Sequence, residues 1–196
     1  MLVLSLKEIL HTPGIKIVWL LFIATCAIEC TCGSWGGTYL VETHGMSPDA
    51  AAKIILFYYM GVAIGRFIAG VLSKWLKVYT IILSGIGVIV TGCILLFVSV
   101  GTVPIILGLM MIGIGNGPMF PNFNYMTPLL YGEEKSPALI GSEYTSASIS
   151  TMTVPIIVGQ IAGKLGFGIF PYVIAISTIV LIVAYFFLHK KNVINN

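Results

Sequence analysis

Apolar residues in this chain come in long blocks, each ended by a short polar break. The first block covers about 15–43 and stops at the stretch from His44 to Asp49. The second, about 50–73, closes on Lys74-Trp75-Leu76-Lys77. A third occupies about 78–98, and the turn Ser99-Val100-Gly101-Thr102 leads to a fourth at about 103–130. Gly132-Glu133-Glu134-Lys135-Ser136 sets off a fifth at about 137–163. Leu165-Gly166-Phe167-Gly168 turns the chain into a sixth at about 169–188, closed by His189-Lys190-Lys191. A helix needs about 20 apolar residues to cross a bilayer, so the pattern predicts an all-α integral membrane protein with six transmembrane helices. Residues 1–14 read as a cytoplasmic linker-like lead, 15–190 as the six-helix unit and 191–196 as a cytoplasmic tail.

Composition agrees. Of 196 residues, 58% are hydrophobic and 9% are charged. Soluble domains carry roughly 25% charged residues, so an ordinary globule is excluded, and six spans leave no length for a soluble catalytic domain. The formal charge of +3 matters through its placement. Lys7, Lys16, Lys74, Lys77, Lys135, Lys190 and Lys191 lie on the side of the termini, against Lys53 and Lys164 on the other. By the positive-inside rule both termini are cytoplasmic in a cell membrane, and nucleic acid is not an expected partner. The first block exceeds the apolar region of a signal peptide, so no cleaved leader is expected. Cys26, Cys30, Cys32 and Cys93 lie inside spans and read as small packing residues. A soft-metal site at the first three would have only Glu29 to support it, so no metal and no cofactor are expected.

Near residue 98 the chain divides into two sets of three spans, repeat one at about 15–98 and repeat two at about 103–190. Gly61 and Gly65, followed by Arg66, recur as Pro155 and Gly159, followed by Gln160, 94 positions later (61 to 155, 65 to 159). An odd number of spans per copy makes the copies antiparallel, the three-plus-three inverted repeat of many secondary transporters. Small residues four apart also suit any close helix pair.

Polar residues mark where these helices face something other than lipid. Glu29 falls about 22 Å along the first span, near the bilayer centre, where a carboxylate requires a wet cavity or a partner. Beyond it, Gly33-Ser34-Trp35-Gly36-Gly37-Thr38-Tyr39 permits bending or unwinding, with Trp35 expected in a cavity and Tyr39 as an interface anchor. Three glycines and three prolines between Gly113 and Pro128 break the fourth span, with Asn116, Asn122 and Asn124 nearby. Nine of the twelve residues from Ser142 to Thr153 are polar, so the fifth span is expected to be covered by protein or water. Arg66 and Glu143 enter from the terminal side to about 12 Å and about 9 Å, a similar depth that makes a charge pair an expectation.

These residues resemble the C-terminal six-helix half of a Major Facilitator Superfamily transporter, most closely the fucose permease-like proton symporters. The resemblance rests on Ala27-Ile28-Glu29, Trp35, Tyr39-Leu40 and Gly45-Met46-Ser47. It continues through Gly61, Gly65-Arg66-Phe67, Gly115, Gly117-Pro118, Pro121, Pro155 and Gly159. The family's loop signature is degenerate here: Gly70-Val71-Leu72-Ser73-Lys74-Trp75-Leu76-Lys77 lacks its aspartate, which leaves Arg66 as the candidate gate residue. Members of the family have twelve spans, and those of the fucose permease-like group hold their proton-coupling carboxylates mainly in the N-terminal half.

The resemblance implies half of a proton-coupled transporter for a small polar solute such as a sugar, working by alternating access. Its substrate or cavity residues would be Glu29, Trp35, Asn116, Asn122 and Asn124; its gating or helix-packing residues Gly61, Gly65, Arg66, Glu143, Pro155 and Gly159. Partners would be the lipid bilayer, the solute, protons, and a complementary six-helix half or a second copy. The competing reading is a truncated or remnant membrane protein without transport activity. An enzyme is not expected and no residue is assigned as catalytic: there is no Gly-x-Ser-x-Gly, and His11, His44 and His189 lie at membrane edges.

Overall fold

The computed structural model describes residues 4–98 and 101–195; Ser99 and Val100 of the predicted turn, residues 1–3 of the lead and Asn196 of the tail lie outside the described residues. A short helix, α1 (Leu6–His11), precedes α2 (Ile15–His44), α3 (Pro48–Leu72), α4 (Val78–Val98), α5 (Thr102–Asn116), α6 (Met119–Tyr131), α7 (Ser136–Leu165) and α8 (Phe170–Asn195). A 3-10 turn, Phe167–Ile169, leads into α8. Six segments are long and apolar enough to cross a membrane, with α5 and α6 forming one of them. The last helix continues through the predicted tail to Asn195. Six crossings return the chain to the side where it starts. The α1 end, the α3–α4 and α6–α7 turns and the end of α8 therefore share one side, the terminal side.

Local chemistry sets the ends. Gly45 takes φ 64° after α2, and the Gly45 and Met46 amides donate to the Val41 and Leu40 carbonyls, a left-handed cap that a glycine adopts without strain. Ser47 then caps α3 through the Ala50 amide (3.3 Å), with Pro48 at the first helical position and Asp49 in the first turn. Helix α1 carries a capping box: the Glu8 amide donates to Ser5 Oγ and the Ser5 amide donates to Glu8 Oε2 (2.7 Å). Those bonds hold the Glu8 carboxyl below the usual carboxylate range, the Ser5 hydroxyl contributing most.

Packing obeys the inverted repeat. Helix α5 of the fourth span lies between α3 and α4, and α2 of the first span meets α7 and α8 in the same relation. Exchanging spans one with four, two with five and three with six maps one set of contacts onto the other, and α4 meets α8 across the exchange. On α3, a methyl at Gly61 would overlap the Met110 carbonyl and one at Gly65 the Ile114 carbonyl. Gly113 on α5, and Gly117 capping its end, lie similarly close to the Tyr58 and Val62 carbonyls. Helix α5 meets α4 the same way, Gly115 against Gly85 and Gly108 against Gly92. Such approach brings backbones into van der Waals contact, the main source of helix association in lipid. In the second repeat, Pro155 and Gly159 take the place of Gly61 and Gly65, and they receive a side chain. The Trp35 ring lies on Gly159, and Trp35 Nε1 donates to the Pro155 carbonyl (2.9 Å).

Two expectations are corrected here. The glycines after Glu29 do not unwind the first span, which is helical throughout Ile15–His44. Gly33 and Gly36 instead admit the Tyr59 hydroxyl and the Ile55 side chain of α3. Tyr39 is no interface anchor: it is buried, stacked on Phe170 at 4.5 Å, with its hydroxyl 3.0 Å from His44 Nε2. The fourth span is broken, but tightly. Gly117 and Pro118 keep right-handed helical angles, the Gly117 amide still reaches the Gly113 carbonyl (2.8 Å), and the interruption is a kink.

Candidate functional site

Glu29 opens onto a cavity of about 910 Å³ bounded by α2, α3, α6 and α7. Helix α2 contributes Cys26, Glu29, Cys30, Gly33 and Ser34; α7 contributes Tyr144, Ala147, Ser148, Thr151 and Met152. Both sets step by three or four residues, so each forms a single helical face, and the two faces bound one space. Helix α3 adds Tyr59 and Arg66, one above the other at two turns' separation, and α6 adds Phe120. Phe120 packs edge-on to Phe22 (4.9 Å) and to Tyr144 (5.2 Å), which fixes the aromatic wall.

Arg66 Nε donates to the Gly117 carbonyl at the kink (3.2 Å). A second cavity, of about 570 Å³, lies towards the terminal side between α3, α4 and α6, and Arg66 borders it too, with Lys77, Asn122 and Tyr125. One guanidinium thus stands between the two spaces. A guanidinium is a donor with a fixed charge, so it favours acceptor or anionic groups on either side.

The other predicted residues have different surroundings. Asn124 Nδ2 donates to the Tyr144 hydroxyl (3.2 Å), so it supports a cavity-lining side chain. Asn116 is buried between α2 and α5, accepting from Thr25 Oγ1 (2.6 Å) and donating to the Thr25 carbonyl (3.3 Å). Asn122 donates to the Pro118 carbonyl (2.7 Å) and borders the second cavity. Trp35 sits in the α2–α7 contact, against Phe167 at 5.4 Å, outside the residues that line the cavity. Glu143 is fully buried, and both its oxygens lie within 3.0 Å of Thr127 Oγ1 on α6. It faces α6 while Arg66 faces the kink, so the expected charge pair is not made.

Tyr59, Tyr144, Phe120 and Thr151 were absent from the predicted set. The signal for three of them is the repeated three-and-four spacing: Thr151 and Tyr144 fall on one α7 face, and Tyr59 is seven residues from Arg66. The polar run 142–153 is also less demanding than composition implies. Thr145, Ser146, Ser148, Thr151 and Thr153 each donate to a carbonyl three or four residues back in α7. Helical serines and threonines satisfy themselves in this way, so such hydroxyls tolerate an apolar neighbour.

The sequence pattern of the Major Facilitator Superfamily matches residues 17–195. Among curated proteins, no sequence matches the chain. Among solved structures, the fold is similar to that in the "Crystal structure of auto inhibited POT family peptide transporter", with a TM-score of 0.73 and 15% identity. The match covers 88% of this chain and 37% of that one, so the chain spans little more than a third of that transporter's length. The pattern covers nearly all of the described residues, and the likeness extends to the six-helix architecture. The chain belongs to the Major Facilitator Superfamily, whose members are transporters and not enzymes.

Proposed function

We propose that the chain is one half of a proton-coupled secondary transporter for a small polar solute, working by alternating access. In this reading it corresponds to the C-terminal half of a fucose permease-like symporter, and a complementary six-helix half or a second copy closes the cavity. The observation that carries the reading is Glu29 on a large cavity whose other walls hold phenol, hydroxyl and guanidinium groups. Tyr59, Tyr144 and Ser34 offer both donors and acceptors to a hydroxylated, uncharged solute such as a sugar, and Thr151, whose proton goes to Ala147, offers an acceptor. Aromatic faces at Tyr59, Phe120 and Tyr144 suit the apolar face of a ring. The lysine bias supports a cytoplasmic terminal side, with both termini there.

Glu29 is the coupling carboxylate of this cavity. Near the bilayer centre, an ionised carboxylate costs far more than a protonated one, so proton binding changes which states of the cavity are accessible. The test is uptake into proteoliposomes under an imposed proton gradient, using the assembly isolated from its native membrane. Glu29→Gln is expected to insert normally and to lose gradient-driven accumulation by tenfold or more. Normal accumulation by Glu29→Gln removes the coupling role, and no uptake of any sugar or polyol by the unaltered protein removes the sugar reading.

A further inference from the structure

The transport cavity makes no use of Glu143, the one acidic or basic side chain that is buried among the described residues. It is 0% exposed, on α7, in the seam with α6. Thr127 Oγ1 lies 2.8 and 3.0 Å from its two carboxyl oxygens and 3.2 Å from the Phe123 carbonyl. A hydroxyl has one proton to donate. If Thr127 gives it to Phe123, its oxygen is free to accept a proton from a carboxylic acid, and every partner in the set is served. If Glu143 is a carboxylate, the Thr127 hydroxyl is the one donor at both of its oxygens, and a charged group is left with a single proton in a fully buried seam.

The surroundings supply a route. On α6, one turn beyond Thr127, Tyr131 has its hydroxyl buried with no hydrogen-bond partner. Tyr131 also lines a cavity of about 430 Å³ on the terminal side, whose ionisable groups are Glu8 and His11 of α1 and Lys135 of the α6–α7 turn. From α2, the contact at this level is Trp19, whose Nε1 donates to Ser142 Oγ (3.0 Å). Solvent space thus reaches Tyr131, one turn along α6 from the threonine that holds the carboxyl.

We propose that Glu143 is a proton-binding site in the α6–α7 seam, separate from the transport cavity, filled from the terminal side past Tyr131. The proton resides on a carboxyl oxygen and is shared with Thr127 Oγ1. Its departure leaves a bare carboxylate in an apolar seam, a state relieved by admitting water between α6 and α7. Proton binding at Glu143 and closure of the seam are therefore one event. Only the purpose of that event depends on the transport reading; the site itself does not.

Infrared difference spectra of the full chain in lipid bilayers, acid against alkaline buffer, read the carbonyl stretch of a protonated carboxyl directly. A band is expected that is lost in Glu143→Gln, retained in Glu29→Gln, and shifted in frequency in Thr127→Val. Tyr131→Phe is expected to keep the band and slow its deuterium shift severalfold after transfer to heavy water. A spectrum unchanged by Glu143→Gln overturns the site, as does a band that Thr127→Val leaves in place. If Glu143→Gln fails to insert, the Thr127→Val spectrum decides alone. The measurement uses no solute, so its failure leaves the transport reading to its own test.

Discussion

Ser5 and Glu8 form the best-defined polar pair outside the membrane, and the sign of its pH response follows from its hydrogen bonds. The Ser5 hydroxyl and amide favour the ionised Glu8, so the folded carboxyl sits below its unfolded range. The stabilisation is present above the unfolded range and lost as pH falls through the folded one. A spin label at Lys7 is expected to gain mobility on that acidification, and Ser5→Ala to remove the pH dependence. Residues inside the bilayer show what a sequence does and does not carry. Counting along a helix gives depth, and it placed Glu29, Arg66 and Glu143 well inside the span. Direction is another matter. Whether Arg66 meets Glu143 depends on which helix lies alongside each, and α6 stands against Glu143 with Thr127. Trp35 and Tyr39 are diverted for the same reason: both find partners on α7 or α8, more than a hundred residues away in the chain.

Helices themselves were legible because hydropathy and capping act locally. All six spans begin and end within about two residues of the apolar blocks, save the last, whose helix outruns its apolar block. The break in the fourth span was legible from its glycines and prolines, but its tight form was not, since that depends on Gly117 remaining helical against Val62. The glycine contacts give a sharp comparison. Gly65→Ala drives a methyl into the Ile114 backbone, and overpacking of this kind typically costs about 1–3 kcal/mol. Gly70, five residues further along the same helix, has open space around its position. Gly70→Ala is expected to be neutral or to stabilise by about 0.5–1 kcal/mol through the unfolded chain. Thermal unfolding in detergent, followed by the same probe for both variants, should separate them; equal midpoints would mean that α3 and α5 do not pack this closely.

For the molecule as a whole, the exposed side of α7 is the face with most to gain from a partner. Tyr144, Ile149, Met152, Ile156 and Ile157 are all exposed, beside the hydroxyls that bond back to their own helix. A companion half laid there would enclose the cavity that Glu29 opens onto. Single cysteines at Ser148 or Thr153, in a chain freed of Cys26 and Cys30, are expected to crosslink to a second copy or a complementary half in native membranes. Transport by a monomer at one copy per vesicle would contradict this. The glycine contacts also impose an order on synthesis. Helices α3 and α4 each present a glycine groove to α5, which lies between them and is made after both. Until the fourth span is inserted, both glycine faces lack the helix that fills them in the folded unit. Helix α2 can meet α3 earlier, but the glycine faces of α3 and α4 reach their final packing only once α5 is in the membrane, so the close-packed part of the first repeat waits for a helix of the second.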